Sequence, residues 1–472
     1  MEKQELSSAK LGEMPIKRLV ITMAGPIIAS MLVQALYNIV DSIFLGQADL
    51  SGNTLTALTI AFPWQNIMIA IAVGTGVGVN ALLSRALGEK NYDHANKAAS
   101  IGVLISFLSW VVMVILTVTL VNPFVEMQVA TAASSDPAIA KNIGLISMYT
   151  KEYLYIVSGA SLGVFIQVCY ERLLQATGKT VLSMTIQLIG AIINIVLDPV
   201  FIFIFKMSAS GAAIATVIGQ ICAAFAGFLF NKYKNTDIKV TFKDMKPKKD
   251  VVLKIYKVAV PSMVMSAIGS VMTAGMNMIL MSIKTGGTVA TTVFGLYFKL
   301  LSFVNMPVFG LNSGLIPIIS YNFGAKNKKR IIDAIKVSVV YAIVIMFIGL
   351  ALYQAVPDKL LMMFSQNKEL IDHGVTALRI TSLPFILSGF CIVASASFQA
   401  LDAPRYSVII SVARQLVALL PVAYLFSLTG KVELVWWAFP ISEIISFACC
   451  AIFMRKIYIN KIKPLPDVPE QA

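Results

Sequence analysis

"GVNALLSRALGEKN" occupies Gly78–Asn91, and "GLIPIISYNFGAKN" occupies Gly314–Asn327. The two stretches match at Gly78/Gly314, Ser84/Ser320, Gly88/Gly324, Lys90/Lys326 and Asn91/Asn327, a constant separation of 236 (314 − 78). Two further echoes flank them. Pro26 near the start of the first apolar run matches Pro261 near the start of the seventh, and "LLQATGK" (Leu173–Lys179) weakly echoes "SFQALDAPR" (Ser397–Arg405). The longest polar segment, Asn231–Asp250, lies between the two copies and reads as a linker. Three matches in the same order around a central linker indicate an internal repeat, and self-similarity at a fixed offset decides architecture before any local reading does.

What repeats is a set of membrane helices. The 472 residues are 57% hydrophobic and only 13% charged, with a mean hydropathy of +0.80. A soluble domain carries about 25% charged residues. The apolar residues come in runs long enough to cross a bilayer, which takes roughly 17–25 residues. Backbone in hydrocarbon must satisfy its own hydrogen bonds, so such runs form helices or a closed barrel, and continuous rather than alternating runs select helices. The expected spans are near 17–45, 55–86, 98–121, 145–175, 181–205, 210–230, 251–283, 289–322, 332–356, 372–400, 406–428 and 434–456. They are numbered 1 to 12 below. Six per half is an even number, so both halves run in the same direction. The expected fold is all-α and membrane-integral: two parallel-repeat six-helix lobes around a central cavity. The expected divisions are 1–230 for the first lobe, 231–250 for a cytoplasmic linker, 251–458 for the second lobe and 459–472 for a tail.

The formal net charge is +14. Lys and Arg concentrate in alternate loops and at both termini, for example Lys232 to Lys254 and Lys326 to Arg330, while the Gln47–Thr54 loop has none. This is the positive-inside pattern, and it places both termini in the cytoplasm of a multi-pass plasma-membrane protein. The charge therefore reports topology and lipid contact, and no nucleic-acid or obligate protein partner is inferred. Met1–Glu13 is polar and the first apolar run is too long for a signal core, so it is expected to remain as span 1. Two His and no Cys-x-x-Cys pair supply no metal or haem motif, no cofactor is expected, and the constellation an enzyme needs is missing. The five Cys read as packing residues.

Ionisable groups inside spans are costly and by default functional. Span 1 reads "QALYNIVDSIFLG", which puts Gln34, Tyr37, Asn38 and Asp41 on one helical face. Span 5 reads "NIVLDPVFIF", with Asn194 and Asp198 one turn apart and Pro199 directly after them, where a proline kink opens space. Thr216 in span 6 adds a hydroxyl. Two carboxylates brought close in a water-poor place cannot both ionise cheaply, so the cluster holds protons or a hard cation such as sodium. In the second half, Met265, Met272 and Met276 share a face of span 7 and suit either packing or a promiscuous substrate wall. Lys299 and Arg379 lie in or near spans, and either could pair with Glu443 in span 12. Glu152 and Glu171 lie near span ends.

"YNIVDSIFLG", "NIVLDPVFIF", "ALGEKN" with its echo "NFGAKN", and "LLQATGK" together resemble the multidrug and toxic compound extrusion (MATE) family over nearly the whole chain. The first and last of the span motifs are fairly specific; the loop motif alone is weak. The resemblance implies export of cationic, amphipathic organic compounds in exchange for H+ or Na+. It places Asp41, Asn194, Asp198 and Thr216 on the family's first-lobe cation site, and Gln34, Tyr37 and Asn38 on its cavity face. NorM-type members carry coupling acids in the second lobe. Here span 7 has none and Met276 stands at the repeat position of Asp41 (276 − 41 = 235), so the chain is closer to DinF-like and MepA-like members. A lipid-linked oligosaccharide flippase shares the broader fold, but such proteins often carry extra spans and a strongly cationic cavity. A channel fits less well with a parallel repeat and an acid cluster on one side only.

Overall fold

The structure is a computed structural model that describes residues 7–48, 52–135, 140–283, 286–364 and 367–466; the side chains of Tyr37, Asn38 and a few neighbours lie outside the described residues. The described elements are helical, with no strand among them. Ten helices are long and apolar enough to cross a membrane, and two bent helix pairs raise the number to twelve. The expected spans all appear. Several are longer than read: span 3 runs Tyr92–Ser135, 44 residues. At about 1.5 Å per residue that is about 66 Å, so its ends stand well outside a hydrocarbon layer of roughly 30 Å.

Spans 4 and 10 were expected as single helices and are instead broken. Ile143–Gly159 and Leu162–Ala176 meet at 45°, and Lys368–Ser382 and Phe385–Ala400 meet at 52°. Each break has a local cause. At the first, Ser161 Oγ donates to the Ser158 carbonyl at 2.6 Å, giving the backbone an alternative to the helical ladder. At the second, Pro384 has no N–H to donate to the helical ladder.

The chain divides into two compact units. One comprises Met1–Ala9, Ala29–Leu87 and Asn91–Val260; the other comprises Lys10–Ile28, Gly88–Lys90 and Pro261–Ala472. The divisions inside spans 1 and 7 fall near Pro26 and at Pro261, the paired prolines of the repeat. Counted with its bent pair, each half of the chain contributes six spans. In the first unit, Leu45, Trp64, Met113, Leu154 and Phe165 build a buried core with alanines of span 6, and Trp64 is fixed by its indole N–H donating to Ser158 Oγ at 3.2 Å. The second unit is centred on aromatics: Phe294 stacks on Trp436 at 6.4 Å, and Tyr297 meets Phe439 edge-on at 5.5 Å.

The repeat is also written in the backbone. Among the described residues, eight adopt positive φ, and they fall into four repeat pairs: Gly52/Gly286, Lys90/Lys326, Gly178/Asp402 and Lys206/Gly430. Each member sits in the turn just before a span. Lys90 and Lys326 share φ 57°, and Asn91 and Asn327 each return a backbone N–H to the carbonyl five residues earlier, both at 2.9 Å. That closes the preceding helix with a left-handed residue. The "ATGK" and "LDAP" echo, weak in letters, is strong in conformation.

Candidate functional site

The acidic residues of the first half converge within one unit. Span 5 (Thr180–Pro199) and span 6 (Ser208–Tyr233) cross closely because both are small there: a Cβ on Gly219 would lie 2.7 Å from the Gly190 carbonyl oxygen and 3.4 Å from Asn194 Cβ. No larger residue fits at Gly219 without moving a helix. The close crossing lets Asn194 Nδ2 reach Thr216 Oγ1 at 3.4 Å, and the same amide donates to Asp198 Oδ1, one turn along, at 3.2 Å. After Pro199 the helix widens into a π-helical turn, Val200–Ile204, closed by Phe205 N–H donating to the Val200 carbonyl at 3.0 Å. π-turns inside membrane helices cluster at functional sites.

Asp198 is fully buried and Asn194 is 4% exposed. Asp41 of span 1 belongs to the same unit, where span 1 meets span 5 through Gln34 and Gln187. Three acceptor atoms here, Asp41 Oδ1, Asn194 Oδ1 and Asp198 Oδ2, are buried with no hydrogen-bond donor among the described residues. No Lys or Arg among them forms an ion pair with either carboxylate. Buried acceptors without donors are rare in folded proteins and call for an explanation. Oxygen ligands and no competing cation make a donor set for a proton or a hard cation. Among the described residues no three His, Cys, Asp or Glu side chains group as a transition-metal site would need.

Gln34 does not stand alone on the span 1 face. Its Oε1 accepts from Gln187 Nε2 of span 5 at 2.6 Å, tying the two spans about two turns before Asp41 and about three turns before Asp198. Gln187 went unread because an amide in an apolar helix carries no charge signal. Among the described residues, Gln220, one turn beyond Thr216, presents a further buried acceptor without a donor, and Thr75 of span 2 a buried hydroxyl without a partner. The calls on Tyr37 and Asn38 lie outside the described side chains.

In the second unit, the methionines separate. Met272 lines a cavity; Met265 is half-buried with its sulfur 3.8 Å from Gln399 Nε2; Met276 is fully buried and belongs to the packing. Glu443 pairs with neither Lys299 nor Arg379, which are exposed, but with Arg414 of span 11 at 3.4 Å. Glu171 is buried rather than solvent-facing, with Gln167 Nε2 donating to it at 2.9 Å, while Glu152 is exposed and accepts from Ser210.

A sequence model described as MatE matches residues 26–200 and 261–425, more than half of the chain and one match per repeat copy. The chain belongs to the MatE family. Similar curated proteins include the multidrug export protein MepA of Staphylococcus haemolyticus (strain JCSC1435), 26% identical over 92% of this chain and 91% of that protein. MepA of Staphylococcus aureus (strain MSSA476) is 25% identical over 97% of this chain and 96% of its own length. Among solved structures, a crystal structure of MATE in complex with MaD3S superposes with a TM-score of 0.88 at 21% identity, over 98% of this chain and 100% of that one. The outward-facing conformation of a multidrug resistance MATE family transporter superposes with a TM-score of 0.87 at 21% identity, over 99% and 100%. These structures establish the fold, and the MepA similarity places this MatE chain closer to MepA-like members. The two MatE matches begin at Pro26 and Pro261, the proline pair that marks the repeat.

Proposed function

We propose that this MatE-family membrane protein is a multidrug efflux antiporter. It exports cationic, amphipathic organic compounds in exchange for H+ or Na+ by alternating access. The observation that carries the reading is the set of donorless oxygens on Asp41, Asn194 and Asp198, with Thr216 beside them. Two carboxylates without a resident counter-charge hold an exchangeable cation. Occupancy neutralises the pair and changes how span 1 is held against span 5, which lowers affinity for organic substrate on the side of release. A coupling ion does work only through a difference in affinity between states, so the site must bind it more tightly in one of them. Both termini face the cytoplasm, as the basic loops indicate. The MepA relatives are named multidrug export proteins, which supports the export of more than one drug.

The test is efflux of a fluorescent organic cation from energised vesicles, with sodium and pH gradients imposed separately. One of the two gradients is expected to drive export in wild type. Asp41→Asn should abolish that export while the protein stays folded and inserted. Full export by this variant would remove Asp41 from coupling.

A further inference from the structure

The second unit contains a cavity of about 240 Å³ whose walls include Met272, Tyr297, Phe309, Phe439, Arg414 and Glu443. Its polar end is an ion pair on which the proposed coupling mechanism does not draw. Arg414 Nη1 lies 3.4 Å from Glu443 Oε2, a loose contact. The Glu443 side chain is 8% exposed, and its second oxygen, Oε1, is buried with no hydrogen-bond donor among the described residues. Ser446, one turn along span 12, has a buried hydroxyl that meets no hydrogen-bond criterion among the described residues. The Arg414 side chain is 31% exposed, so part of its donor fork remains open. Arg414 is carried on a π-helical turn, Ala413–Leu419, the second such turn beside charged residues in the chain.

The pair offers one free acceptor and several free donors in a wall that is net neutral. A lone cation would compete with Arg414 for Glu443, and a lone anion would draw Arg414 away and leave the buried Glu443 carboxylate without compensation, which is strongly unfavourable. A ligand carrying both charges keeps the balance: an ammonium against the Glu443 carboxylate and a carboxylate on the Arg414 fork, which suits bidentate carboxylates. The remaining walls are aromatic, with Tyr297 and Phe439 in edge contact at 5.5 Å, and favour an aromatic body. The volume lies below the roughly 300–1,000 Å³ of drug-sized sites, so the ligand is small. We propose that the Arg414–Glu443 cavity binds a zwitterion of amino-acid size with an aromatic body.

This site is separate from the acids of spans 1 and 5 and stands whether or not they couple transport. The experiment is calorimetric titration of the purified full chain with three probes of one body: L-phenylalanine, phenethylamine and 3-phenylpropionate. L-Phenylalanine is expected to bind at least about tenfold more tightly than either singly charged probe. The double variant Arg414→Gln/Glu443→Gln leaves no buried charge unpaired, and in it the preference should disappear while the protein remains monodisperse. Tighter binding of phenethylamine than of L-phenylalanine, retention of the preference by the double variant, or no binding of any probe up to about 10 mM would overturn the proposal.

Discussion

Replacing Asp198 by Asn separates a coupling site from a structural network. The side chain keeps its shape and its acceptor for Asn194 Nδ2, now 3.2 Å away. It loses the carboxylate and gains an N–H donor in a place where Asp41 Oδ1 and Asn194 Oδ1 have none. A buried acceptor without a donor costs about 1–3 kcal/mol, and an ionised group at mid-membrane about 2.5–3.5 kcal/mol on insertion scales. Relieving one of these should stabilise the fold by about 1–3 kcal/mol, a rise of roughly 2–4 °C in Tm for each kcal/mol in a unit of this size. Export should meanwhile be lost, because a neutral amide cannot release a proton and is a poorer ligand for a cation. Thermal unfolding of the purified variant measures the first quantity, and ion-driven efflux from proteoliposomes the second. A structural network predicts the opposite pair: a lower Tm with export retained in whatever protein stays folded. A variant that is destabilised and still exports would refute the coupling assignment. Gaining stability by losing function is what a strained functional site predicts.

Gly219→Val should wedge spans 5 and 6 apart, because its first carbon falls 2.7 Å from the Gly190 carbonyl oxygen; the Asn194–Thr216 contact should open and export fall by more than about tenfold, measured beside an unchanged expression level. In the turn before spans 6 and 12, Lys206 and Gly430 share a left-handed backbone that costs a non-glycine residue about 1 kcal/mol, so Lys206→Gly should raise Tm and Gly430→Ala should lower it by a similar amount.

The spans and their pairing were legible because both signals are local. An apolar run of 20 residues reports its own environment, and the turn that ends span 2 needs a left-handed residue whichever copy it closes, so "EKN" and "AKN" survive together. The acids of spans 1 and 5 were legible for the same reason: a charge in hydrocarbon is conspicuous alone. What stayed hidden is who meets whom. Glu443 was visible, but Arg414 inside span 11 was passed over for Lys299 and Arg379, because nothing local pairs residues that are 29 apart on separate helices. Gln187 and Gln220 carry no charge and left no mark at all. The bends in spans 4 and 10 depend on how Ser161 and Pro384 are used, and proline alone does not announce a 52° break, since Pro26 and Pro261 sit inside helices that continue.

The two units keep one backbone plan and have taken opposite electrostatic solutions. The position of Asp41 in the first repeat is a fully buried methionine, Met276, in the second. The first unit gathers two carboxylates and gives them no basic partner among the described residues; the second gathers one carboxylate and one guanidinium and lets them face each other across 3.4 Å. A buried group of like charges is stable only with something mobile to neutralise it, so its occupancy must follow ion concentration. A buried pair of opposite charges is already neutral, and its state is insensitive to ions but sensitive to any ligand that can replace each partner for the other. The acid cluster is thus suited to sensing a gradient and the pair to recognising a molecule. The proposed exchange of an ion for an organic compound draws on both properties, and an internal repeat supplies two copies of one scaffold in which they can diverge.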